Sequence, residues 1–159
     1  AMPRGGDGPA THVGRLYDQY GASLYRYALM LLADHAAAED AIQQVFARLV
    51  ARPRAIDEGE HYLRRAVRNE CYSALRSRAP LSVDAPLLEP AAPHTSPEER
   101  MSLEVAIREL PIDQREVIHL HVFEGRTFQE IATLAGESIN TIASRYRYAL
   151  QKLRQALTR

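Results

Sequence analysis

Tryptophan is absent from this chain of 159 residues, cysteine occurs once, and 20 Lys and Arg balance 20 Asp and Glu. A single cysteine excludes an intrachain disulfide and a zinc site built on thiolates, which favours a reducing, cytoplasmic setting. The longest apolar run, Tyr27–Ala33, is much shorter than the roughly 20 residues of a membrane span. No basic segment precedes an apolar one at the start, so we expect neither a signal peptide nor membrane insertion.

The balanced charge argues against a polyanionic partner for the chain as a whole, but the charges are unevenly distributed. Residues 1–78 hold 11 basic and 9 acidic residues, residues 79–97 hold none and 2, and residues 98–159 hold 9 and 9. From Ser138 onward there are five basic residues and no acidic one. Because the charges are segregated, nucleic acid is again a candidate ligand. Small basic faces on a neutral chain can make only a few phosphate contacts, so we expect the isolated chain to bind DNA weakly.

Apolar residues recur at steps of three and four along most of the chain, which predicts amphipathic helices and an all-α fold. Residues 79–97 interrupt this pattern with five prolines and no Lys or Arg, which is typical of a linker. The predicted organisation is a tail at residues 1–12, a three-helix domain at 13–78, a linker at 79–97 and a four-helix domain at 98–159.

A helix-turn-helix is predicted near the C-terminus. Thr127 and Glu130 have the spacing of a capping box, Gly136 suits a left-handed turn, and Asn140 or Ser138 can cap the second helix. The outward face of that helix carries side chains that suit a major groove or its phosphates. These side chains are Thr141, Ser144, Arg145, Arg147 and Tyr148. A solvated helix face with cations near its C-terminus is the competing interpretation.

The third predicted helix is rich in arginine and tyrosine. Arginine binds phosphate, aromatic rings stack on unpaired bases, and asparagine can read adenine. The residues of this kind are Tyr62, Arg64, Arg65, Arg68, Asn69, Tyr72 and Arg76. An amphipathic helix with structural tyrosines explains the same pattern equally well.

Catalytic chemistry has no candidate residues here. The six histidines show no metal-ligand spacing with carboxylates, Cys71 lies among apolar helix positions, and no nucleophile motif or Gly-rich phosphate loop occurs. We therefore expect no enzyme activity, no cofactor and no metal.

Several segments together resemble the bacterial extracytoplasmic-function (ECF, group 4) sigma factors of the sigma-70 family, which keep only the second and fourth conserved regions. Residues 16–32, 38–49 and 62–76 resemble region two, and residues 109–118, 123–131 and 141–154 resemble region four. The resemblance implies promoter-specific transcription initiation by a dissociable polymerase subunit.

The resemblance also implies roles for individual positions. Core RNA polymerase would bind Glu39, Asp40, Gln43 and Gln44. The −10 promoter element would face Tyr62, Arg64, Arg65, Arg68, Asn69 and Arg76. The −35 element would face Asn140, Thr141, Ser144, Arg145, Arg147 and Tyr148. The loop at residues 53–59 would hold a flipped base, residues 79–97 would thread toward the polymerase active centre, and an anti-sigma factor would be a further partner.

The chain departs from the family pattern at Glu137, which stands at a turn position where an aliphatic residue is usual and predicts a locally repacked turn. Two alternatives stay open. One is a helix-turn-helix regulator that acts without polymerase, with residues 13–78 as a sensing or dimerisation module. The other is a sigma-like module that titrates an anti-sigma partner.

Overall fold

Helices make up the regular structure of the described part of the chain. The structure, a computed structural model, describes residues 9–52, 59–77, 86–88 and 96–158. These ranges contain seven α-helices, one π-helical turn and no strand, which confirms the all-α fold class. The predicted tail as far as residue 8, the loop at 53–58 and most of the predicted linker lie outside the described residues.

The N-terminal half is a bundle of three helices: α1 (Pro9–Leu32), α2 (His35–Ala51) and α3 (Gly59–Ser77). The chain turns sharply between α1 and α2 at Ala33, whose φ is 54°. Asp34 then caps α2, because its Oδ1 accepts a hydrogen bond of 2.8 Å from the Ala37 amide. Apolar side chains of all three helices are buried between them.

The C-terminal half contains α4 (Pro97–Arg108), α5 (Ile112–Ile118), α6 (Phe128–Ala135) and α7 (Ile139–Leu157). The capping box at Ser96 and Glu99 starts α4, with Pro97 in the first turn. A second capping box, at Thr127 and Glu130, starts α6 as predicted. The starts of α4 and α6 therefore follow local rules that the sequence displays.

A π-helical turn, His119–Phe123, follows α5. The Glu124 amide donates to the His119 carbonyl at 3.0 Å, a five-residue step that widens the helix. The turn stacks the His119 ring against Tyr27 of α1, with centroids 5.8 Å apart. The widened turn therefore belongs to the contact between the two halves.

The two halves pack directly on each other, and arginines of the C-terminal half contact the end of α1. Arg115 Nη2 donates to the Leu31 carbonyl at 3.2 Å, and Arg108 Nη1 donates to the Ala33 carbonyl at 3.3 Å. The last carbonyls of a helix have no partner within it and carry its negative dipole end. These guanidinium groups therefore satisfy α1 and fix it against the other half.

A described piece of the predicted linker docks on α4. Leu87 is buried, Arg100 Nη2 donates to the Leu88 carbonyl at 2.6 Å, and Glu104 Oε1 accepts from the Leu88 amide at 3.1 Å. This part of the predicted linker is therefore held on the surface of α4.

Candidate nucleic-acid interface

The helix-turn-helix geometry is present in α6 and α7. Gly136 ends α6 with a φ of 68°, a left-handed conformation that costs glycine little. Ser138, rather than Asn140, caps α7: its Oγ accepts from the Thr141 amide at 3.1 Å. Ala132 and Ile142 are buried where the two helices meet. The turn is therefore short, and the repacking expected from Glu137 stays a prediction.

The predicted −35 residues form one face of α7. Asn140, Arg147 and Tyr148 are exposed, whereas Thr141, Ser144 and Arg145 are partly buried. The Arg147 guanidinium lies 5.4 Å from the centre of the Tyr148 ring, a cation–π arrangement. The face offers guanidinium, hydroxyl and amide groups to a ligand along the first three turns of the helix.

Arg145 differs from Arg147 because it is held by two carboxylates. Its Nε lies 3.3 Å from Asp113 Oδ2 on α5, and its Nη2 lies 3.3 Å from Glu137 Oε1 in the turn. The side chain is 21% exposed. The unusual Glu137 therefore acts as an ion-pair partner within the candidate DNA-binding face.

The predicted −10 residues of α3 separate onto two faces. Arg65, Asn69 and Arg76 are exposed, at spacings of four and seven that place them on one stripe. Tyr62 is partly buried. Arg64 and Arg68 instead point to the C-terminal half, where carboxylates hold both. The structure thus brings three of the six residues together on an open face.

Arg64 is almost completely enclosed, with 2% of its side chain exposed. Its Nη1 donates to Glu124 Oε1 at 2.7 Å, and its Nη2 donates to Ser23 Oγ at 3.0 Å and Glu60 Oε1 at 3.3 Å. Glu124 and Glu60 also bind Arg126, which extends the network across the two halves. Such a buried, multiply bonded guanidinium is held much more firmly than a surface pair.

Arg68 binds a second carboxylate of the C-terminal half, Glu116, through two hydrogen bonds. Nε donates to Oε2 at 2.9 Å and Nη2 donates to Oε1 at 3.2 Å. Tyr72 Oη donates to the same Oε1 at 2.9 Å, and Tyr27 Oη donates to Oε2. The Glu116 side chain is 1% exposed. Three donor side chains of the N-terminal half therefore surround one acceptor of the other half.

The buried cluster changes the acidity of its members. Burial, and then the Glu116 charge, raise the pKa of Tyr27 and of Tyr72, so both phenols keep their protons as donors. Burial by itself raises the pKa of Glu124, but His119, Arg64 and Arg126 outweigh it and lower that pKa to about 2. At neutral pH the Glu124 carboxylate is therefore charged and paired.

The predicted polymerase-binding residues lie together on the open face of α2. All four, Glu39, Asp40, Gln43 and Gln44, are exposed, opposite a buried apolar stripe. Glu39 Oε1 lies 3.2 Å from His35 Nε2, one turn earlier. The face is polar and acidic, and it lies on a different helix from the arginines of α3.

Sequence reasoning assigned no role to Glu116, Glu124 or Tyr27. One signal was available: Glu116 occupies the apolar stripe that Ile112 and Leu120 define at steps of four, so a carboxylate was due to be buried there. The identity of its partners had no local signal, because Arg68 lies 48 residues away in the chain.

The remaining expectations concern metals, thiols and membranes. Within the described ranges, no group of three His, Cys, Asp or Glu side chains is placed to hold a metal ion. Cys71 is buried, and burial raises the pKa of its thiol to about 12, which suits an inert core residue. No described helix is both long and apolar enough to cross a membrane.

Comparison with known proteins identifies the family. The family model described as Sigma-70 region 2 matches residues 16–80, and the one described as Sigma-70, region 4 matches residues 100–153. The ECF RNA polymerase sigma factor SigL of Mycobacterium tuberculosis is 31% identical over 153 residues, covering 89% of this chain and 86% of SigL. The chain belongs to the ECF sigma factors of the sigma-70 family.

Other proteins similar to this sigma factor also carry the name of sigma factors. The probable RNA polymerase sigma factor RfaY of Xanthomonas campestris pv. campestris is 30% identical, and the alignment covers 98% of this chain but 43% of RfaY. The sigma factor RpoE of Bartonella quintana, solved with the anti-sigma factor NepR, matches with a TM-score of 0.72 and 25% identity, over 91% of this chain and 96% of RpoE.

CnrH, solved with the cytosolic domain of CnrY, shares the fold of this sigma factor with a TM-score of 0.64 and 21% identity, over 92% of this chain and 87% of CnrH. Sigma factors are non-catalytic initiation factors, which agrees with the expectation that the chain is not an enzyme. The helices α1–α3 fall largely within the region 2 match, and α4–α7 within or beside the region 4 match.

Proposed function

We propose that this sigma factor, a group 4 member, binds core RNA polymerase and directs it to promoters with −10 and −35 elements. The observation that carries the proposal is the exposed face of α7, presented by a regular helix-turn-helix in a chain of this family. The N-terminal ends of such helices enter the major groove in other DNA-binding proteins. The proposed domains are residues 13–78 and 98–159, joined by a linker at 79–97.

The −35 element is assigned to α7. Asn140 and Thr141 lie in its first turn, where side chains reach base edges most readily, and Ser144, Arg145, Arg147 and Tyr148 follow on the same side. Four basic residues at positions 145–154 and no acidic one give the described helix the charge that phosphate binding requires.

The −10 element is assigned to α3, and the open face of this helix makes the first contribution to binding. Arg65, Asn69 and Arg76 present two cations and one amide along about three turns, with Tyr62 beside them. This combination suits a strand whose bases are partly unpaired, because phosphate contacts and base-edge contacts alternate on it. Arg64 and Arg68 belong to the same proposed surface only after their carboxylate partners withdraw.

Core polymerase is assigned to α2, whose open face carries the four polar residues named above. We also assign residues 79–97 to the path toward the polymerase active centre, and the loop at 53–59 to capture of a flipped base. An anti-sigma factor is a proposed further partner, supported by the complex of RpoE with the anti-sigma factor NepR.

The experiment is reconstitution with core polymerase, followed by transcription selection from a randomised promoter library. The wild-type chain should enrich two sequence elements at fixed spacing. Asn69→Ala should relax sequence selection in the −10 element but not in the −35 element. Arg147→Ala should relax it in the −35 element but not in the −10 element. Failure of the wild-type chain to bind core polymerase or to enrich any element would overturn the proposal.

A helix-turn-helix regulator without polymerase is the first alternative function, and it predicts specific duplex binding by the isolated chain with no enrichment in transcription. Titration of an anti-sigma partner is the second. It predicts tight binding to that partner but no binding to core polymerase, so co-purification with core polymerase separates it from the proposed function.

A further inference from the structure

Glu116 occupies a pocket that belongs to the other half of the molecule. Among the described residues it accepts four hydrogen bonds, two from Arg68 and one each from Tyr27 and Tyr72. These donors lie on α1 and α3, whereas Glu116 lies on α5. The carboxylate is therefore a ligand of the N-terminal half in the same sense that a bound anion would be.

The pocket has the chemistry of an oxyanion site. It consists of a guanidinium that binds two oxygens and two phenol hydroxyls whose raised pKa values keep them protonated. The Arg68 guanidinium carbon also lies 4.3 Å from the centre of the Tyr72 ring. Phosphate oxygens accept the same charge-assisted hydrogen bonds from such donors as carboxylate oxygens do. Arginine beside an aromatic ring is also the combination that binds single-stranded nucleic acid.

A second pair repeats this relation one turn earlier on α3. Arg64, four residues before Arg68, binds Glu124 of the C-terminal half at 2.7 Å. Residues four apart lie on the same side of a helix. Two successive guanidinium groups of α3 are thus each neutralised by a carboxylate that comes from across the interface between the halves.

We propose that Tyr27, Arg68 and Tyr72 form a binding site for a backbone phosphate of single-stranded promoter DNA, and that Glu116 fills this site while the halves are packed together. The inference rests on the proposed function, because it takes promoter DNA as the ligand. The packed arrangement and phosphate binding at this site are mutually exclusive, since one set of donors serves both acceptors. Promoter binding through Arg68 therefore requires the halves to separate.

The test uses the full chain and a short fluorescein-labelled single-stranded oligonucleotide of mixed sequence, with binding followed by fluorescence anisotropy. Glu116→Gln removes the charge that holds Arg68 and brings an amide donor against donors. It should increase affinity about tenfold relative to Glu98→Gln, the scale of one lost charged hydrogen bond. Glu98 is an exposed glutamate of α4, so it controls for the change in net charge.

The increase should depend on the pocket. In the Glu116→Gln chain, Arg68→Gln or Tyr72→Phe should return affinity to the level of the Glu98→Gln control, whereas Arg48→Gln, an exposed arginine of α2, should not. Equal affinity of the Glu116→Gln and Glu98→Gln chains would overturn the proposal. An increase that survives both Arg68→Gln and Tyr72→Phe would also overturn it.

A second measurement decides the matter if Glu116→Gln does not fold, as judged by circular dichroism. With core polymerase, Tyr72→Phe should shorten the lifetime of competitor-resistant open complexes several-fold, and Tyr17→Phe, an exposed tyrosine of α1, should not. Equal lifetimes for these two variants would overturn the site while wild-type transcription still supported the proposed function. A wild-type chain that fails to transcribe would instead overturn the proposed function.

Discussion

Arg145 and Arg147 lie two residues apart on α7, but they have different surroundings. Arg145 is 21% exposed and lies within 3.3 Å of carboxylate oxygens of both Asp113 and Glu137. Arg147 is exposed and stacks on Tyr148. A phosphate that binds Arg145 must compete with two carboxylates, whereas one that binds Arg147 displaces only water. Identical side chains in one helix therefore offer unequal binding energy.

We predict that Arg147→Ala weakens promoter binding by the polymerase complex more than Arg145→Ala does. Each phosphate contact contributes roughly 0.9 to the slope of log K against log salt concentration. The slope should fall by about that amount for Arg147→Ala and by much less for Arg145→Ala. Filter binding across a salt series measures both values.

The matched control for this pair is Asp113→Asn, which removes one competing carboxylate. It should make Arg145 a stronger phosphate ligand, so Arg145→Ala should lower the salt slope more in the Asp113→Asn chain than in wild type. Equal salt slopes for Arg145→Ala and Arg147→Ala, each made without Asp113→Asn, would contradict unequal phosphate binding by the two arginines.

Element boundaries were predictable wherever a local rule sets them. Each of these local features involves residues no more than about four positions apart in the chain. They are the capping boxes at Ser96 and Thr127, the left-handed Gly136 and the break near Asp34. Hydrophobic periodicity then gave the helices and their buried stripes, because a helix repeats its face every three or four positions. The same information placed Asn140, Arg147 and Tyr148 on an open surface.

What could not be predicted depends on contacts between distant elements. The π-helical turn after α5 adjusts His119 to Tyr27 of α1, and nothing in the local sequence records that partner. Periodicity also did not show that α3 has two polar faces. The face with Arg65 is open, and the face with Arg68 is covered by α5, which lies in another half of the molecule.

At the level of one element, the start of α7 gives a measurable prediction. The Ser138 side chain caps this helix, with Oγ accepting from the Thr141 amide at 3.1 Å. Ser138→Ala should lower the free energy of unfolding by about 1 kcal/mol. Ser138→Asp keeps an acceptor at the cap and should stay close to wild type. Urea denaturation of the three chains measures the differences, and equal losses in both variants would contradict a capping role.

In the whole molecule, which carries no net charge, opposite charges of the two halves pair with each other. Arg68 with Glu116 and Arg64 with Glu124 cross the interface, and Arg126 of the C-terminal half binds Glu60 of the N-terminal half. Charges satisfied in this way attract no external polyanion. The weak DNA binding expected of the isolated chain thus follows from the packing as well as from the balance of charges.

This pairing makes the packed arrangement sensitive to acid through Glu124. Its carboxylate faces Arg64 from α3, Ser23 from α1, His119 from the π-helical turn and the neighbouring Arg126. The pKa of Glu124 lies at about 2 in the folded chain against an ordinary value of 4.5. Between these values the unfolded chain binds more protons, so stability that is complete above pH 4.5 is lost as the pH falls toward 2.

We predict that Glu124→Gln removes this part of the acid sensitivity. The pKa difference corresponds to about 3 kcal/mol as an upper limit. The gap in unfolding free energy between wild type and Glu124→Gln should be widest at neutral pH and should narrow steadily below pH 4.5. Glu98→Gln, which changes the same charge on an exposed site of α4, should run parallel to wild type throughout. Urea denaturation over this pH range provides the measurement.

A gap between wild type and Glu124→Gln that stays constant with pH would show that the carboxylate is not paired in the folded chain. A gap that narrows would show that the Glu124 carboxylate is paired in the folded chain, where Arg64 and Ser23 of the N-terminal half and His119 and Arg126 of its own half surround it.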